Sequence, residues 1–159
     1  MGEAYFYHLT RQPLEVTAAT LLGKALGAGW RVALRGRDAE RLKALDAKLW
    51  HGARDSFLPH GLAGGDYDAR QPILLTADMT AANDPQCVMA VDGAEVTPEE
   101  VGTLSRVMIL FDGTDGEAVA HARTQWKSLT DAGAAARYWS EESGRWEEKA
   151  SKNTGQAAP

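Results

Sequence analysis

The chain has 159 residues, 44% of them hydrophobic, enough for one domain with a real core and too few for a second. Its formal net charge of −5 gives no overall positive field for a phosphate backbone, so direct nucleic-acid binding is not expected. A lone cysteine, Cys87, excludes an internal disulfide and any zinc site built on several thiolates, and suits a reducing cytoplasm.

The opening MGEAYFYHL shows no basic run followed by a long apolar core, and nothing downstream approaches the ~18 apolar residues of a membrane span. A soluble, intracellular protein is expected. Residues 4–9 alternate Ala4, Phe6 and His8 with Tyr5, Tyr7 and Leu9, which predicts an aromatic-rich strand. A helix is expected over 13–28, with Leu14, Ala18, Leu21, Leu22, Ala25 and Leu26 on one face, Thr10 or Gln12 near its start and Gly29 after its end. Residues 31–35 read as a second, short strand. Asp38 is then a good N-cap for a helix that buries Leu42, Leu45 and Leu49 and ends at Trp50. Strand, helix, strand, helix points to a parallel sheet with crossover helices.

Trp50 is thus delivered to a surface edge, and the dense run SFLPHGLAG follows, in which Pro59 fixes its own φ and pushes Leu58 towards an extended shape. This stretch reads as a loop held in shape by its own residues. Short strands are expected at 72–76 and 87–91, joined by a turn-rich connector. Residues 97–104 suit a short helix with Thr97 as N-cap, Pro98 in the first turn and Glu100 completing a capping box. The run RVMILF at 106–111 is apolar throughout and should lie centrally, buried on both faces. A last long helix covers 115–132, and 135–140 form a final strand. Beyond Trp146 the chain is polar and without periodicity, so the division expected is one α/β domain over 1–149 and a disordered tail over 150–159.

In the last long helix Val119, Ala122, Trp126 and Leu129 form an apolar stripe, while Arg123 and Lys127, four apart, share a neighbouring face. Two readings stand. One is a solvated basic face beside a core aromatic. The other is a pocket for an acidic peptide ending in an aromatic residue, with Trp50, Phe57 and Trp126 as its apolar hole and Arg123 and Lys127 at its rim.

Other chemistry-bearing residues have plainer readings. His8, His51, His60 and His121 show no metal-binding spacing, and His60 should tie down its own loop. The run FDGTDGE reads as a strand-to-helix turn capped by Asp115, although Asp112, Asp115 and a His could in principle serve a metal-dependent enzyme. No glycine-rich phosphate loop follows the first strand, so no nucleotide cofactor is expected. Cys87, inside an apolar strand, reads as buried and inert.

The run LDAKLW followed by SFLPHGLAG, the early FYHLT and the later HARTQWK resemble, in that order, the chi subunit of the bacterial DNA polymerase III holoenzyme. The likeness spans roughly residues 4–146. It implies an α/β fold of one domain: an open, mostly parallel, Rossmann-like sheet with helices on both faces and no nucleotide-binding fingerprint. It also implies a non-catalytic, clamp-loader-associated subunit that binds the acidic C-terminal tail of single-stranded DNA-binding protein, whose last residue is a Phe with a free carboxylate. The positions here that match that site are Trp50, Phe57, Arg123, Trp126 and Lys127. Some family members carry a further basic residue one turn before Arg123, where this chain has Val119. The resemblance implies a psi-type subunit as second partner. A repair helicase on the same face is the alternative, and Tyr138 and Trp139, read as exposed aromatics near the last strand, are candidates for the psi contact. A monomer when alone, cytoplasmic and associated with the replisome and nucleoid of a bacterium, completes the expectation.

Overall fold

The computed structural model describes residues 2–51 and 58–154. Eight strands form one sheet: β1 (Glu3–Leu9), β2 (Val32–Arg35), β3 (His60–Leu62), β4 (Ile73–Thr76), β5 (Cys87–Ala90), β6 (Arg106–Asp112), β7 (Ala136–Ser140) and β8 (Glu147–Lys152). Their order across the sheet is β3-β4-β2-β5-β6-β1-β7-β8. All neighbours pair in parallel except β7 and β8, which are antiparallel. The central position of β6 follows from its sequence, since Val107 to Phe111 are all buried and only a strand covered on both faces can bury both sets of side chains.

The helices divide between the faces. α1 (Leu14–Gly27) and α2 (Ala39–Trp50) pack Leu22, Leu42, Leu45 and Leu49 against Leu34, Leu75, Met89 and Leu110. α3 (Pro98–Thr103) and α4 (Gly116–Asp131) pack Val101, Ala122 and Leu129 against Phe6, Ile109 and Phe111 on the other side. The starts of three of them were written in the sequence. The Asp38 carboxylate accepts from the Glu40 N–H at 2.9 Å, Thr97 and Glu100 form a complete capping box, and Asp115 accepts from the Glu117 N–H at 3.0 Å. Among the described residues, no helix is long and apolar enough to cross a membrane.

Two expectations are corrected. The polar segment after Trp146 is not disordered from there on: β8 runs to Lys152, and 155–159 lie outside the described residues. Its side chains are almost all exposed, so no burial pattern marks it, and the backbone ladder to β7 holds it instead. Arg137 in β7 bridges to Glu148 at 2.9 Å, and the Asn153 amide donates to the carbonyls of Thr130 and Ala134, tying the hairpin to the end of α4. Such a short, charged strand also discourages pairing with other chains at that edge. The second correction concerns the SFLPHGLAG run: its His60–Leu62 portion is the edge strand β3, parallel to β4, too short to show a period of two.

The turn leaving β1 is fastened by a distant acid. A single oxygen of Glu141, a residue only 4% exposed, accepts from the backbone N–H groups of Thr10, Arg11 and Gln12 at 3.0, 2.9 and 3.2 Å. α1 itself begins after Pro13 without a side-chain cap. In sheets of this type such N–H groups often receive a ligand's phosphate; here an internal carboxylate occupies them. Burial pushes the Glu141 carboxyl up, but those three N–H donors and Arg11 outweigh it and leave it below the usual carboxylate range. Its stabilising share is therefore complete above the unfolded Glu value of about 4.3 and is lost as the pH falls through the lower folded value. Glu141→Gln should cost roughly 1–3 kcal/mol at neutral pH, and the gap from the parent should shrink with acidification. Guanidinium denaturation from about pH 7 to about pH 3 measures both, and a gap independent of pH would contradict this account.

Candidate functional site

Phe6 and His8 project from β1 towards α4, as alternation requires, and meet Phe111 from β6 and Tyr138 from β7 on the same face. The ring of Trp126 in α4 closes this layer, edge-on to Phe6 at 5.3 Å and to Tyr138 at 6.0 Å. Tyr138 lies 6.0 Å from Phe111 and 5.8 Å from the His8 ring, and its hydroxyl is hydrogen-bonded to His8 Nδ1 at 2.6 Å. Trp126 and Tyr138 are each half-buried, so their edges form an apolar floor that solvent still reaches.

Arg123 stands exposed on α4 one turn before Trp126, and its charge is felt at Tyr138. Burial pushes the Tyr138 phenol up from its ordinary value, while Arg123 pulls it the other way. Among the described residues no carboxylate lies within ion-pair distance of Arg123, so its planar fork is available to a ligand. Lys127 is exposed as well but pairs with Asp131 at 2.9 Å, a contact that raises the lysine's affinity for its proton. Val119 is half-buried against the second core and offers an apolar contact where a further cation could have stood. Aromatic edges beside an unengaged guanidinium are suited to a chain terminus carrying both an aromatic ring and a carboxylate.

The structure does not bring Trp50 into this surface. Trp50 ends α2 on the opposite face, 53% exposed, with its ring centroid 4.2 Å from that of His60 and tilted 33° to it, beside the edge strand β3. Five strand spacings separate β3 from β1, about 24 Å at ordinary sheet spacing. The expected single hole walled by both Trp50 and Trp126 is thus divided by the sheet, and Phe57 lies outside the described residues. Tyr138 and His8, by contrast, belong to the α4 surface, although neither was named for it from sequence. The alternation that put Phe6 and His8 on one side of β1 was the signal; the parallel pairing of β1 with β7, which supplies Tyr138, was not legible.

The remaining candidates have structural employment. His60 Nδ1 is bonded to the Leu58 carbonyl, tying the loop as expected, and its Nε2 faces the Asp46 carboxylate at 3.3 Å. His121 Nε2 is bonded to the Gly93 carbonyl at 3.0 Å, and His51 is the exposed residue after α2. Asp112 accepts from the Thr114 N–H and hydroxyl, which holds its carboxyl low, and Asp115 caps α4. Among the described residues no group of three His, Cys, Asp or Glu side chains could hold a metal ion. A crevice of about 700 Å³ opens above the carboxyl ends of β2, β5 and β6, but Arg41 there is paired with Asp92 at 2.6 Å. Cys87 is buried, and burial pushes its thiol up to about 12, so it is no nucleophile at neutral pH.

Comparison with known proteins finds that residues 1–137 match the model of the family described as DNA polymerase III chi subunit, HolC. A protein of Rickettsia prowazekii (strain Madrid E), named probable DNA polymerase III subunit chi, is 20% identical over 117 residues. That stretch is 70% of this chain and 71% of the relative.

Proposed function

The chain belongs to the DNA polymerase III chi subunit family, and from that premise we propose that it is a non-catalytic accessory subunit of the replicative polymerase, acting in the bacterial cytoplasm at the replisome. Its task is to hold the acidic C-terminal tail of single-stranded DNA-binding protein. The observation that carries this reading is the α4 surface, where the unengaged Arg123 guanidinium stands beside the half-buried edges of Trp126 and Tyr138. The tail's terminal Phe ring would lie on the aromatic edges and its carboxylate would take the Arg123 fork. Lys127, exchanging Asp131 for a ligand carboxylate, would grip the acids that precede the Phe. Each contact is weak, and the many tails displayed on coated DNA make retention a matter of effective concentration. A net charge of −5 keeps the subunit from competing for the DNA itself.

Trp50 belongs in this reading to a second docking surface. Its exposed ring at the β3 edge lies on the face opposite Arg123, so a second protein could be held while the tail is bound. A psi-type clamp-loader subunit is the partner proposed for it, and a repair helicase the alternative.

Fluorescence anisotropy of a labelled peptide of about ten residues, copying the acidic tail, tests the proposal. Saturable binding in the micromolar range is expected, lost when the terminal Phe is removed and weakened by roughly 1–3 kcal/mol in Arg123→Ala, as for a charged hydrogen bond. Trp50→Ala should leave this affinity unchanged. Absence of binding by the intact chain, or equal binding by Arg123→Ala, would overturn the assignment.

A further inference from the structure

The tail-binding reading assigns the carboxylate to Arg123 alone, yet a second polar group converges on the same place. Tyr138 Oη is the only polar atom of that aromatic side chain, it lies within the influence of the Arg123 charge, and its partner is His8 Nδ1 at 2.6 Å. His8 is itself tightly seated. It lies 5.1 Å from the Phe111 ring, and a Cβ on Gly113 would come within 1.8 Å of its Cδ2, so only glycine lets the imidazole sit there. A ring fixed this firmly fixes the hydroxyl bonded to it.

The direction of that bond decides what the phenol can offer. When His8 carries its proton on Nδ1, the ring donates to the Tyr138 oxygen, and the phenolic O–H is left to donate elsewhere. Tyr138 packs edge-on against Trp126 at 6.0 Å, and Arg123 stands one turn before Trp126 on α4, so that O–H and the Arg123 guanidinium border the same half-buried aromatic surface. Two donors on one carboxylate discriminate better than one, because an analogue lacking an acceptor oxygen leaves a donor unpaired.

Resting on the tail-binding reading, we propose that the Tyr138 hydroxyl, positioned by His8, is a second recognition donor for the terminal carboxylate of the acidic peptide. Tyr138 supplies the contact; His8 acts only through it.

The test uses the full chain with two labelled peptides of the same acidic sequence, one ending in a free Phe carboxylate and one in the Phe amide. Tyr138→Phe keeps the ring and its packing. It should weaken the carboxylate peptide roughly fivefold to tenfold and the amide peptide less than about twofold. His8→Leu should weaken the carboxylate peptide in the parent background and add nothing to Tyr138→Phe, since a positioning residue has no effect once its target is gone. Thermal melts establish that each variant folds. Should Tyr138→Phe fail to fold, the His8→Leu comparison of the two peptides decides alone, and equal loss for both overturns the proposal. Parent-like affinity of Tyr138→Phe while Arg123→Ala is weakened, or equal losses of Tyr138→Phe for both peptides, overturns it while leaving the tail-binding reading intact. Absence of binding by the parent chain overturns both.

Discussion

Arg35→Ala is expected to be among the most destabilising single changes in this protein, costing about 3–5 kcal/mol. Arg35 ends β2 with its side chain 3% exposed, and a cation persists there because both terminal nitrogens are fully answered, although the buried Nε has no partner. Its guanidinium donates to both oxygens of Glu100 at 3.0 and 2.6 Å and to the carbonyls of Glu95 and Met79 at 2.9 and 2.7 Å. One side chain thus fastens the connector after β4, the segment before α3 and the capping box of α3 to the sheet. Truncation leaves the two carbonyls and the carboxylate without these donors, and the penalty of those orphaned groups exceeds what the bonds were worth while made. Lysine should not rescue the loss, because a single ammonium cannot reproduce a planar fork that reaches three segments. Urea or guanidinium denaturation of Arg35→Ala, Arg35→Lys, Arg35→Met, Glu100→Met and Arg35→Met/Glu100→Met measures the effect. The double change should cost less than the two single changes added together, since it removes both charges at once. Strict additivity would contradict the pairing described.

Arg35 also shows where sequence reading stops. The strand containing it was legible, as were the caps Asp38, Thr97 and Asp115, because each depends on residues within a few positions of one another. Its partners Met79, Glu95 and Glu100 lie 44 to 65 positions away, and no local pattern announces them. The same holds for Glu141, whose bonds to Thr10 and Arg11 join positions 131 and 130 apart. In the candidate site the α4 residues Arg123, Trp126 and Lys127 could be grouped from helical spacing alone. Trp50 was added to them as a second aromatic delivered to the surface, a reading of residue type that says nothing of whether the two share a face. The crossover order of the sheet separates them, since β2 leads outward through α2 on one face and β6 leads back through α4 on the other. β8 was missed for a different reason, because an edge strand exposed on both sides carries no hydrophobic period.

Phe6→Ala is the change expected to affect both stability and tail binding, although Phe6 is fully buried and cannot touch a ligand. Phe6 sits on β1 between Ile109 of β6 and Tyr138 of β7, and its ring meets the edge of Trp126 at 5.3 Å. Removing the ring takes away a large transfer term and leaves a cavity beneath α4, a cost of about 3–5 kcal/mol. Trp126 then loses its edge-to-face neighbour, and the floor that should receive an aromatic terminus is no longer held at one height. Peptide affinity should therefore fall in Phe6→Ala under conditions where the variant remains folded. Leu34→Ala, a comparable deletion in the core on the α1 and α2 face, should lower stability without that loss. The comparison separates general softening from the support of one surface: denaturation gives the first, and anisotropy at matched fractions folded gives the second. Equal loss of affinity in the two variants would mean that binding follows overall stability; loss in Phe6→Ala alone would mean that the aromatic layer holds the α4 surface in its binding form. The second outcome is the one expected, because the sheet lies between the two cores and only the Phe6 core reaches Trp126.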